Sequence, residues 1–322
     1  MVTTTGDGFP LPIGIEDTDV AQLEAAVGVL RALDYRQGGG FCRDAVQVVK
    51  TASVLLHWGT VPDPLRARLY TVLADVHNLL GWTEFDIGRD EPARRRFERA
   101  LDIAAEAGNE SLIANIHYRL GRVHLHRHDA DGALAEFARG RAAARRSDSR
   151  RALAILAANE AWACAMAGDE HSALTRLEEA EAAFATADSW PEPRPWEAFF
   201  RETDMAAMRG TVLTELATAV AARHSGAAIT QLTAAADRYG ADMARSRSLT
   251  LIMLAQNHAL RGDVDEATRI GAEAVDLAGT VGSVRPKDRL APLERLLTHH
   301  RSDPAARGLA DRIAHYRAEP LI

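Results

Sequence analysis

The chain has 322 residues, 47% of them hydrophobic and only 6% aromatic, and a formal net charge of −7 from 45 acidic and 38 basic side chains. An acidic balance is the opposite of what a phosphate-tracking surface needs, and two cysteines without a pairing motif, Cys42 and Cys164, do not make a disulfide framework. No apolar run approaches the roughly 20 residues that span a bilayer, and the N-terminus lacks the basic start and apolar core of a secretion signal, so the expected setting is the cytoplasm, with no membrane partner.

Residues 1–16 read as a flexible arm. Asp17 to Leu33 sets Leu23, Val27, Leu30 and Leu33 on one helical stripe, Gly38-Gly39-Gly40 breaks that helix, and Phe41 to Trp58 forms a second. The glycine triplet follows a helix and lacks the Lys-Ser/Thr of a phosphate cradle, so it reads as a turn. After Pro62 and Pro64 the chain echoes itself at a fixed interval: Ala93, Ala133 and Ala173 each stand four residues before Phe97, Phe137 and Leu177, and seven before Ala100, Gly140 and Ala180. Upstream, Gly81 matches Gly121 and Ala161, and Gly88 matches His128 and Gly168. Small residues there let two antiparallel helices cross closely while Phe97 or Phe137 fills the space beside the crossing. Turn and capping chemistry lies between, in Asp90-Glu91-Pro92, Asp129-Ala130-Asp131 and Gly168-Asp169-Glu170. The proline-rich stretch Trp190–Trp196 interrupts the period by roughly 15 residues, Ala228, Leu232 and Ala235 resume it, and Gly262, Ala267, Gly271 and Ala274 make a further unit. Arg289–His299 and Pro304–Tyr316 end the stack as a polar cap.

Leu80-Gly81, Ala93, Phe97 and Ala100, then Leu120-Gly121, Ala133 and Phe137, resemble the tetratricopeptide repeat, with Leu-Gly-x2-aromatic followed by Ala-x3-Phe-x2-Ala. Glu84, His124 and Cys164 depart from it at the aromatic position, and a period longer than is usual for that repeat implies longer helices. The expected fold is all-α: a tetratricopeptide-like α-solenoid, a right-handed superhelix of antiparallel helix pairs forming one domain over 17–322. Its pairs fall at about 17–58, 65–107, 111–146, 151–187, 204–238 and 247–280, with capping helices over 287–317. Three segments outside the repeat pattern, Leu30–Ala45, Pro195–Gly210 and Val281–Leu290, are similar to the C-terminal part of actinobacterial Xre-type helix-turn-helix regulators. That resemblance implies a sensory and dimerising module behind a DNA-binding head. The arm ahead of the first helix is too short for such a head, so the expectation is the module without it.

In such scaffolds the first helix of each pair lines a concave groove. By register these positions hold Asp75, Asn78, Trp82, Phe85 and Asp86, then Asn115, Tyr118, Arg122 and His126, then Trp162 and Met166. Asparagine amides suit an extended peptide backbone, and Trp82 and Tyr118 offer apolar area, although aromatics at helical spacing also serve simply as core. Trp196, Phe199 and Phe200 read either as a lid over the groove or as a patch buried between the third and fourth units, with Asp204 capping the helix that follows.

His117, His124, His126 and His128 come without the glutamate of a zincin or a fixed cysteine or carboxylate, so no metal site is expected. No nucleophile elbow, dinucleotide fingerprint or supported cysteine nucleophile is present, and no catalytic residue or cofactor is expected. Arg94, Arg95, Arg96 and Arg99, and the cluster from Arg139 to Arg151, read as solvated helix faces paired with acids, which argues against direct nucleic-acid binding. The expected function is that of a non-enzymatic regulatory sensor. It takes a peptide, small molecule or protein partner in its groove and modulates transcription or secondary metabolism. The alternatives are an assembly scaffold or adaptor and, third, an enzyme built in the groove. Pairing of two copies is left open.

Overall fold

The computed structural model describes residues 13–38, 59–187, 193–300 and 302–320. The expected helix Phe41–Trp58, Cys42, Trp190 and most of the N-terminal arm lie outside the described residues. Among the described residues there are thirteen α-helices and one two-residue parallel bridge, β1 (Ile13–Gly14) against β2 (Gly59–Thr60), with Ile13 opposite Gly59. The helices are α1 (Asp17–Gln37), α2 (Asp63–Asp86), α3 (Asp90–Glu106), α4 (Glu110–His126), α5 (Ala130–Arg146), α6 (Arg150–Met166), α7 (Glu170–Ala187), α8 (Glu202–Ala219), α9 (Ser225–Arg238), α10 (Ala244–Leu260), α11 (Val264–Ala278), α12 (Arg285–Thr298) and α13 (Pro304–Ala318). They pack in neighbouring pairs, α2 on α3 through to α12 on α13, as in an all-α solenoid.

The period has a finer grain than the sequence echo suggests. Helices α3 to α6 are equal in length, and their starts at Asp90, Glu110, Ala130 and Arg150 are evenly spaced. Each connection places one residue in the left-handed region: Gly88, Gly108, His128, Asp148 and Gly168, with φ between 50° and 79°. The turn within a pair and the turn between pairs are thus closed by the same device, and the interval from Ala93 to Ala133 is two equal halves. Asn109, Asp129, Ser149 and Asp169 accept from the backbone N–H three residues on, at 2.9 to 3.1 Å, and start the next helices. Asp90 does not cap α3. It lies inside that helix and takes Arg127 at 2.8 Å instead.

The small-residue crossings behave as their size demands. A Cβ on Gly81 would come within 2.7 Å of the Phe97 ring, and one on Gly121 would come closer still to the Phe137 ring. The third unit exchanges the pair together, Ala161 for glycine and Leu177 for phenylalanine, which keeps the summed volume similar. The terminal hairpin is more than a polar cap: α12 packs on α10 and turns Arg285 and Arg289 into the concave side. As a result the two ends of the stack meet. Helix α1 packs on α10, and the Val284 N–H ahead of α12 donates to the Asp86 carbonyl that ends α2, at 2.7 Å.

Candidate functional site

The first helix of every described pair contributes to one central hollow. Trp82 comes from α2; Tyr118, Arg119 and Arg122 from α4; Asn159 and Trp162 from α6; Asp204, Met208 and Thr211 from α8; Arg245, Leu249 and Met253 from α10; and Arg285 and Arg289 from α12. Tyr35, Phe199, Tyr239 and Met243 complete the wall of a cavity of about 140 Å³. A second hollow of about 420 Å³ shares Tyr35, Phe199, Asp204, Tyr239 and Met243 with it, and its lining includes the buried Arg31 and the exposed Arg36, Arg201, Arg238 and Asp242. Helical spacing explains the convergence: Arg119 and Arg122 are three residues apart on α4, Arg285 and Arg289 four apart on α12, so each pair leaves its helix on one side.

Those four arginines clasp two tryptophans. The guanidinium carbons of Arg119 and Arg285 lie 5.3 and 4.8 Å from the Trp82 ring centre, and those of Arg122 and Arg289 lie 4.6 and 4.4 Å from that of Trp162. Stacking in a site this buried holds cation and ring in place together. Glu215 receives both the Trp162 indole N–H at 3.1 Å and Arg289 at 2.7 Å, fixing that ring in its plane.

Not every cation here has a counter-charge. Arg245 reaches Asp34 at 3.0 and 3.1 Å and also Asp86, while Arg285 reaches Asp86 at 2.7 Å. Arg31 is held by Asp75 at 2.5 Å and Arg289 by Glu215. Among the described residues Arg119 and Arg122 have only neutral acceptors, the Asn78 carbonyl at 2.7 Å and the Asn159 amide oxygen at 3.4 Å. Burial pulls the pKa of both down, and the neighbouring arginines add to it: Arg31 beside Arg119, and Arg285, Arg289 and Arg245 around Arg122, which falls to about 10 and stays charged at neutral pH. Asp204, at the wall between the hollows, is pushed up to about 6 by burial even though it accepts from the Arg201 backbone at 3.1 Å and the Tyr239 hydroxyl at 2.9 Å.

The groove residues read from the register divide into two groups. Trp82, Tyr118, Arg122 and Trp162 line the cavity. Asn78 and Asn115 are buried and face each other: the Asn78 amide donates to Asn115 at 3.0 Å, and Asn115 donates to the Trp196 carbonyl at 3.0 Å. Their amides fasten the chain to itself and leave no ladder for an incoming backbone. Phe85 is buried edge-on to His126, whose Nε2 lies 2.7 Å from Asp288 of α12. Arg119, Arg245, Arg285 and Arg289 line the same hollow and are not among the groove positions the register gives; the i, i+3 spacing of Arg119 and Arg122 and the i, i+4 spacing of Arg285 and Arg289 are the only signal in the sequence.

The insert divides: Phe200 patches the junction of the third and fourth units, Phe199 walls the hollow, and Trp196 takes neither expected place. Trp196 leaves the gap between the third and fourth units and buries itself at the start of α4, where its indole N–H donates to Ser111 at 3.0 Å. Glu197 accepts from Ser111 at 2.5 Å and from Ser149 at 2.9 Å, so the segment straddles the N-termini of α4 and α6. Phe200 packs into the central core against Phe184, and Phe199, stacked on Tyr118 at 5.9 Å, forms the wall shared by the two hollows. Asp204 caps α8 as expected.

Each histidine of the run except His128, which makes a left-handed turn, meets a different acid: His117 meets Glu136, His124 meets Asp129 and His126 meets Asp288. Among the described residues no three His, Cys, Asp or Glu groups are placed to hold a metal ion. On the outer faces Arg94 pairs with Glu91 and Glu98, Arg141 with Glu160 and Glu179, and Arg146 with Glu110. No described helix is long and apolar enough to cross a membrane. Models of known protein families do not match the chain, and no curated protein aligns with it significantly.

Proposed function

We propose that this chain is a regulatory sensor of the tetratricopeptide type, a right-handed solenoid that takes a small molecule into the chamber ringed by the first helices of its pairs and acts without chemistry of its own. The observation that carries this reading is the convergence of six helices, the insert and the space around Trp82 and Trp162 on one hollow. With the adjoining space its volume falls within the few hundred cubic ångströms typical of small-ligand sites. A peptide lying along an open trough is disfavoured, because the groove asparagines are bonded to each other and to the insert. The link to transcription or secondary metabolism rests on the resemblance of the three segments named above. Native mass spectrometry of the chain purified from its producing cell tests the reading. A small mass bound one to one and released on denaturation is the expected result; a stoichiometric protein partner with no small mass would replace the sensor with an adaptor.

A further inference from the structure

Of the cavities and charged clusters among the described residues, the central chamber is set apart by two cations, Arg119 buried and Arg122 half-buried, whose hydrogen bonds go to neutral oxygens instead of carboxylates. The carboxylates in and around its wall are already engaged: Asp34 and Asp86 with Arg245 and Arg285, Asp75 with Arg31, Glu215 with Arg289, and Asp204 with the Tyr239 hydroxyl and the Arg201 backbone N–H. Arg119 and Arg122 are left facing amide oxygens in a water-poor space, an arrangement that is costly unless an anion completes it. The rest of the lining is of another kind. Tyr118, Phe199, Leu249 and three of the six methionines of the chain, Met208, Met243 and Met253, give a soft apolar wall that adapts to shape. The tryptophan faces are already covered by guanidinium groups, so a ligand's apolar body has the methionine side to pack on.

From this division we infer that the chamber takes a small amphiphilic acid, with its carboxylate paired to Arg122 and its apolar body against Tyr118, Phe199 and the methionines. This rests on the chamber being the binding site. The exposed Arg36, Arg201 and Arg238 around the larger hollow would draw such an anion toward the wall formed by Tyr35 and Phe199. A guanidinium grips a carboxylate through two parallel hydrogen bonds, which a neutral amide of the same shape cannot reproduce.

The test compares 4-fluorobenzoate with 4-fluorobenzamide, titrated into the full chain and followed by fluorine NMR. The acid should bind at least tenfold more tightly than the amide. Arg122→Met, which keeps the stem and removes the charge, should bring the two within about twofold; the amide, indifferent to the charge, reports that the variant's chamber is intact. Should Arg122→Met fail to fold, the acid-to-amide ratio of the unaltered chain still decides the point. Equal binding of acid and amide overturns the inference and leaves the chamber as a binding site; no binding of either at millimolar probe overturns both.

Discussion

Arg245→Met removes the side chain that joins the two ends of the stack. Arg245 makes two hydrogen bonds to Asp34 and a further one to Asp86, and both carboxylates are fully buried. Asp86 keeps Arg285 at 2.7 Å in the variant, so the loss falls mainly on Asp34. Breaking a buried ion pair from one side costs roughly 3–5 kcal/mol, because the remaining charge stays out of water without a partner. Asp34→Asn in the Arg245→Met background removes that stranded charge and should return at least about 1 kcal/mol of the loss. Urea unfolding followed by far-ultraviolet circular dichroism gives the stability, and small-angle X-ray scattering gives the closure: the single variant should show a larger radius of gyration, as α1 and α2 part from α10 and α12. A loss below about 1 kcal/mol without recovery in the double variant would refute the claim that this cluster closes the molecule.

Gly121→Ala should destabilise by about 1–3 kcal/mol because its Cβ would overlap the Phe137 ring, whereas Gly308→Ala, whose Cβ would meet open space, should stabilise by up to about 1 kcal/mol; thermal melts of the two variants should move in opposite directions. Asp204, raised to about 6 in the folded chain against roughly 3.9 unfolded, adds stability that is complete below about pH 4 and is lost as pH rises through about 6. Asp204→Asn keeps an oxygen for the cap, should be more stable than the unaltered chain at neutral pH, and should flatten stability across that window; an unchanged profile refutes the assignment. Asn115→Ala leaves the Asn78 amide and the Trp196 carbonyl unpaired, should cost about 1–3 kcal/mol, and should make the insert susceptible to chymotrypsin after Trp196 and Phe199 in limited proteolysis.

Much of this architecture is written locally. The Gly81–Phe97 and Gly121–Phe137 crossings were legible because one position must be small where its partner, at a constant separation along the chain, is large. The half-period was harder to see because two of the five left-handed turn positions are held by His128 and Asp148, which tolerate that conformation without announcing it as glycine does. The candidate site was legible only in part. Trp82, Tyr118, Arg122 and Trp162 follow from register, but register also puts Asn78 and Asn115 on the groove wall, because the Trp196 carbonyl that takes the Asn115 amide lies two hairpins further along the chain. Arg245 and Arg285 are more remote still from Asp34 and Asp86, and no periodicity carries information over that distance.

A stack whose ends are joined also counts its own members. An open solenoid gains or loses a unit with little consequence for the units elsewhere, since each touches only its neighbours. Here the duplication or deletion of one hairpin would carry Arg245 and Arg285 out of reach of Asp34 and Asp86, and the chamber would lose its last wall at the same stroke. Descendants of this chain are free to change loops, outer faces and turn residues, but their hairpin number is held constant by the same bonds that shape the hollow.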